Sequence, residues 1–159
     1  MSGTFTDTTD RAVLSWLAGE TLPGGWTAPT DTYLVLLTAD PRVLPPAPGG
    51  DQPGFTNDPE ISDFTEVSAT GYSRQLVSWG TAQTNVGNPS SISNSVQITF
   101  GPFTDGSGMG AATTHGALVT VASGTAGEVI MVWQWDNPVS ATQNESIIVP
   151  VGALTMTLQ

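Results

Sequence analysis

Two places in this chain combine residue types that do chemistry: a single imidazole, His115, and an acid, Asp136, that follows two indoles, Trp133 and Trp135. One histidine removes every mechanism that needs two imidazoles, and any histidine-rich metal site with them; beside Gly116 at the start of an apolar run it reads as structural. Serines are plentiful enough for a Ser/His/Asp triad by count, but there is no G-x-S-x-G elbow and no strand-to-helix alternation to carry one. Asp136 beside two aromatic platforms would suit a sugar ring, and with a second acid across a groove, glycoside hydrolysis. The core reading of the two tryptophans is preferred. The densest carboxylates, Asp51, Asp58, Glu60, Asp63 and Glu66, are of the oxygen-donor type that calcium takes, yet their spacing matches no EF-hand pattern and they read as a solvated acidic loop. Gly106, Gly108 and Gly110 form G-x-G-x-G and lead into a strand; phosphate cradling needs a helix N-terminus there, so they read as a flexible turn. Asn144-Glu145-Ser146 fits a glycosylation sequon without a secretion signal to support it. No catalytic, cofactor or metal residue is assigned, and the chain is expected not to be an enzyme, with a small carbohydrate-active enzyme as the distant alternative.

Composition narrows the classes further. Against 14 acidic residues stand Arg11, Arg42 and Arg74 and no lysine, a net charge of -11. Affinity for phosphate backbones or anionic lipid heads is built from clustered cations, so neither nucleic acid nor a membrane is expected as a partner. There are no cysteines, which excludes disulfide frameworks, thiol catalysis and cysteine-ligated metal. No apolar run approaches the ~20 residues that span a bilayer. Met1 to Asp10 shows no basic segment ahead of an apolar one, so synthesis in a cytoplasm without signal or anchor is expected.

These side chains must be positioned by something, and 159 residues suit one domain with its own core. With 18 glycines, 12 prolines and only 11% charged residues, the profile is that of a turn-rich β protein. The one helix signal is at the start. Thr6 to Asp10 supply caps, Arg11 to Ala18 follow, and Gly19 ends the run. Val13, Trp16 and Leu17 share one face of that helix and form a sticky side. Thr32 to Thr38 is apolar on both faces and reads as a buried central strand. Residues 42 to 61 are aperiodic and rich in proline and glycine, a long irregular loop. Strand signals then recur at Phe64 to Ser68, Gly71 to Trp79, Ile92 to Phe100, Thr113 to Ala122, Glu128 to Trp135, Glu145 to Val149 and Ala153 to Leu158. Val96, Ile98 and Phe100 alternate with polar Gln97 and Thr99. Val129, Met131, Trp133 and Trp135 alternate with Ile130, Val132 and Gln134, so that strand is apolar on both faces and is either central or under a partner. The fold expected is all-β, an antiparallel jelly-roll-like sandwich of 7 to 8 strands with one short N-terminal helix. Residues 1–30 form a helix and linker arm, and residues 31–159 the sandwich with its Pro-rich insert at 42–61. The candidate partner-binding residues are Val13, Trp16, Leu17, Arg42, Trp133 and Trp135.

Several segments in order, Trp26 to Pro41 (WTAPTDTYLVLLTADP), Glu66 to Gln75 (EVSATGYSRQ), Val96 to Phe100 (VQITF), Thr114 to Leu118 (THGAL) and Val151 to Leu158 (VGALTMTL), resemble a group of small tailed-bacteriophage structural proteins. Members of that group are described as tail-fibre or minor capsid proteins. The chain departs from the group's layout in the Pro-rich insert between Asp40 and Phe64 and in the Gly116 to Val119 stretch. The resemblance implies a virion structural protein without a catalytic residue. Its similarity in build to capsid decoration proteins implies a homotrimer that binds the major capsid protein on the outside of the head and stabilises it; a tail-fibre or receptor-binding position is the alternative.

Overall fold

The computed structural model describes residues 2–5, 13, 29–41, 60–83 and 90–158. Nine strands lie among them: β1 (Ser2–Phe5), β2 (Tyr33–Leu37), β3 (Gln75–Leu76), β4 (Ser90–Ser93), β5 (Ile98–Phe100), β6 (Thr113–Val119), β7 (Val129–Val139), β8 (Ile147–Val149) and β9 (Thr155–Leu158). A short 3-10 turn, Ile61–Asp63, precedes β3. The strands form a five-stranded sheet in the order β1-β7-β6-β2-β3 and two two-stranded sheets, β4-β9 and β5-β8. Every pairing is antiparallel. The expected all-β antiparallel class is what the chain adopts.

β2 has no polar residue between Leu34 and Leu37 because both faces of its sheet are covered. One face contributes Leu34, Leu36, Leu118, Met131 and Trp133 to the larger core cluster, where they meet Ile98 and Phe100 of β5, Ile147 and Val149 of β8, and Phe103, Met109 and Leu154. The other contributes Val35, Leu37, Ala117, Val119, Val129 and Val132 to a second cluster that includes Ile61. Burying four such side chains in a row on β2 and five on β7, at about 1.5 to 3 kcal/mol per large residue, makes this sheet the main store of apolar stabilisation.

The simple alternation expected along β7 is broken. Ala117 pairs with Val132 and Leu118 with Met131, but Val119 pairs with Val129, leaving Ile130 as an extra residue. A one-residue bulge flips every side chain beyond it. Val129 therefore sits with Val132 in the second cluster, while Ile130 joins Met131 and Trp133 in the first. A second shift lies between the pairs Thr113↔Val139 and His115↔Gln134, and it accommodates Asp136, Asn137 and Pro138, the last of which cannot donate to a ladder.

Three further expectations are corrected. Phe64 to Ser68 is not a strand; it touches the sheet through a single bridge, Leu37↔Glu66. Ile92 to Phe100 is two strands, because the buried Asn94 ends the first. Its Nδ2 donates to the carbonyls of Val96 and Pro150, both at 2.9 Å, and its Oδ1 accepts the Leu154 amide at 2.9 Å, so the side chain replaces ladder bonds and turns the chain there. The segment ahead of the helix signal carries β1, which pairs with β7 from Ser2↔Gln134 to Phe5↔Met131. The helix itself lies outside the described residues except for Val13, as does residues 42–59 of the Pro-rich insert.

Candidate interaction surface

The Glu66 to Gln75 segment places its polar residues on one another. The Arg74 guanidinium meets the Glu66 carboxylate in a fork, Nε to Oε1 at 3.0 Å and Nη2 to Oε2 at 2.8 Å, and its Nη1 donates to the Val121 carbonyl at 3.3 Å. Tyr72 donates its hydroxyl to Glu66 Oε1 at 2.8 Å and accepts the Leu36 amide of β2 at 3.1 Å. Burial first, then the neighbouring Glu66 charge, push the Tyr72 hydroxyl well above its ordinary range, so it stays a donor. The ring stacks on Phe100 of β5, centroids 5.9 Å apart. Glycine is required at position 71, where φ is +94° and a Cβ would collide with the Pro102 carbonyl. The motif is thus a clasp that ties a loop to β2, β5 and the turn after β6, and Arg74 is spent on it. Its fork geometry, bidentate and oriented, is what arginine provides and lysine does not.

Thr114, His115 and Gly116 lie on β6, between β2 and β7. The Thr113 hydroxyl reaches the Leu37 carbonyl at 2.8 Å and accepts the Trp135 indole N–H at 3.1 Å. This fixes the half-buried Trp135 ring over Gly116, where an added Cβ would stand 2.6 Å from ring carbon Cζ2. Gly116→Ala should therefore expel the ring: Trp135 emission shifts to the red with a lowered melting temperature, while Thr114→Ala, one residue away, leaves the spectrum unchanged. His115 is buried, with Nδ1 2.9 Å from Thr114 Oγ1 and Nε2 3.5 Å from Asp40 Oδ2. Its place in the centre of the sheet agrees with a structural role.

Trp133 is fully enclosed in the larger core cluster. It takes the core side of the alternative posed for it and presents nothing to a partner, and it forms no paired platform with Trp135 above the exposed Asp136. Trp135 is half-buried against the same cluster, and Val13 is half-buried. Trp16, Leu17 and Arg42 lie outside the described residues. Of the acidic cluster, Asp51 and Asp58 lie outside the described residues, while Glu60 and Asp63 cap each other's backbone across the 3-10 turn and Glu66 serves the clasp. Among the described residues no group of three or more histidine, cysteine or acidic side chains is arranged to hold a metal ion.

Two other carboxylates fasten loops. Asp105 accepts from Thr70, whose amide lies 2.7 Å from Oδ2, and Glu145 accepts the Thr142 amide at 2.8 Å. The Thr70 hydroxyl and amide hold Asp105 below its ordinary 3.8, and the Thr142 amide and hydroxyl hold Glu145 below 4.5. A carboxylate with a depressed folded pKa contributes stability above its unfolded pKa, and that stability fades as pH falls through the folded one. The stability gap between the wild type and an Asp105→Asn/Glu145→Gln double variant should accordingly be full at about pH 6 and narrow steadily as pH falls below the ordinary carboxylate values of 4.5 and 3.8. Urea midpoints measured from pH 6 down to about pH 3 check this, and a gap constant across that range contradicts it.

Sequence reasoning missed one feature of the surface. Val96, placed inward by alternation with Ile98 and Phe100, is 55% exposed, and Leu76, Ile148 and Val151 are exposed as well. The alternation rule fails at Val96 because Asn94 turns the chain before β5 begins.

What this fold and these clusters define is a protein whose distinctive polar residues hold strands together. Residues 54–157 match the family model described as podophage GP4 fiber I protein gp80, which covers more than half of the chain, and the chain belongs to that family. It is a family of bacteriophage structural proteins, so the chain is a virion structural protein. No curated protein matches it.

Proposed function

We propose that this chain is a non-catalytic module of the podophage fibre apparatus that works by surface contact. The observation that carries this reading is the family match over residues 54–157. The five-stranded sheet and the two small sheets enclosing the larger core are read as the layers of a sandwich, the rigid build that a contact module needs. The same module is proposed to act as a homo-oligomer, with a trimer favoured, and to attach through the part of the 1–30 arm that follows β1 and through the 42–61 insert, where Val13, Trp16, Leu17 and Arg42 are the candidate contacts. A second reading places it on the head exterior as a decoration protein bound to the major capsid protein; the similarity of its sequence segments to that group favours it.

Immunogold labelling of intact virions tests the location. Label confined to the fibres supports the first reading, label over the head the second, and absence from purified virions overturns both. For the attachment, a Trp16→Ala/Leu17→Ala double variant should lose occupancy on the particle; full occupancy would move the contact to the sheets.

A further inference from the structure

Large apolar side chains scattered singly over a surface need no explanation, but several on one face mark a place where something binds. Of the large apolar side chains that stand exposed among the described residues, Leu76, Val96, Ile148 and Val151 belong to one region. Thr99 of β5 lies opposite Ile148 of β8. Asn94 bonds to the carbonyls of both Val96 and Pro150, which sets Val96 beside the turn that carries Val151. β3, with Leu76, runs alongside β5. The inward neighbours Ile98, Phe100, Ile147 and Val149 are buried in the core, so the pleat fixes Thr99 and Ile148 outward.

We propose that this outward face of β3, β5 and β8 is where one copy of the chain meets another. Its charge points to that occupant. The face itself carries no ionisable side chain, and the flanking ones are turned away: the Arg74 guanidinium onto Glu66, the Glu145 carboxylate onto the Thr142 amide. With a net charge of -11, two copies repel wherever their carboxylates are brought face to face. A charged partner finds no counter-charge on this face and would lose its own hydration there. The polar groups present, the Gln97 amide and Thr99 hydroxyl, each donate and accept, and they already bond at 3.3 Å, so the face is complementary to a copy of itself. The inference rests on the oligomer proposed above and assigns it a surface away from β7, where Trp133 is enclosed in the core.

The test is sedimentation of the purified full chain with its Ile148→Asp and Val96→Asp variants, and Thr125→Asp in an exposed turn as control. Wild type should associate, and more tightly when salt is raised from about 0.05 to about 0.5 M, because screening relieves the repulsion between like-charged copies. Each variant on the face should weaken association at least about tenfold while its melting curve stays that of a folded chain, and Thr125→Asp should change nothing. A wild type that stays monomeric at about 100 µM at both salts overturns the oligomer and the surface together. An oligomer undiminished in both Ile148→Asp and Val96→Asp overturns the surface alone.

Discussion

Trp133→Ala should lower the unfolding free energy of the isolated chain by about 3 to 5 kcal/mol, the range for truncating a large aromatic ring in a core that does not collapse around the void. The indole is fully enclosed, it lies on a strand paired on both sides by β1 and β6, and its backbone partners are Gly3 and Gly116. Neither glycine has a side chain that could move into the void, and the space above Gly116 is held by the Trp135 ring. For a domain with about 5 to 15 kcal/mol in all, such a loss removes much of the margin. Trp133→Phe refines the expectation. The indole Nε1 is buried without a hydrogen-bond partner among the described residues, a cost that phenylalanine does not carry. The Phe variant should therefore lose distinctly less than the ring volume alone implies. Urea unfolding at neutral pH, with midpoint and slope both fitted, reads these differences. A change below about 1 kcal/mol for Trp133→Ala would show that the ring is not core.

The period-two signal carried the fold class because it has a direct physical cause. A strand covered on one face alternates, as β5 and β8 do with a buried, exposed, buried pattern, and a strand covered on both faces does not, as in β2. What the pattern could not carry was the register. The bulge at Ile130 depends on how β6 and β7 pair across their whole length, and it moves Val129 to the opposite face without altering local hydrophobicity. Asn94 is similar: an asparagine between two β signals is compatible with a continuous strand, and only its bonds to Val96, Pro150 and Leu154 show that it ends one. β1 went unseen because four residues, Ser-Gly-Thr-Phe, hold no periodicity to detect.

For the candidate surface, the sequence pointed at the large aromatic residues, and tertiary packing decided otherwise for Trp133. Exposure is set by what a strand faces, a long-range property. Ile148 and Ile147 are chemically identical neighbours, yet one is outward and the other is in the core. The partner of Arg74 is set the same way: Glu66 lies eight residues earlier and comes against the guanidinium only once the segment folds back along β2.

That pairing gives the second large effect. Glu66→Ala should cost about 3 kcal/mol, toward the lower end of what removing one partner of a buried ion pair costs, since Arg74 is 6% exposed and Glu66 is 24% exposed. The loss has several parts acting together: the guanidinium is stranded beside apolar strands, the Tyr72 hydroxyl loses its acceptor, and the loop that Tyr72 pins to the Leu36 amide is released. Glu66→Gln keeps an acceptor oxygen of the same reach and should lose less than half as much. The decisive comparison is a Glu66→Leu/Arg74→Met double variant. If the penalty arises from an uncompensated charge, replacing both partners by apolar groups of similar volume removes its cause, and the double variant should be more stable than Glu66→Ala although it has lost the whole ion pair. If the clasp acts instead by orienting the loop, the double variant should be as unstable as the single one, because Tyr72 has no acceptor in either. Thermal melts at low salt and near 1 M NaCl separate this buried pair from surface charge effects: screening moves exposed pairs and should leave the Glu66→Ala difference almost unchanged. A penalty that vanishes in high salt would mean that the pair is open to solvent and contributes little to holding the fold.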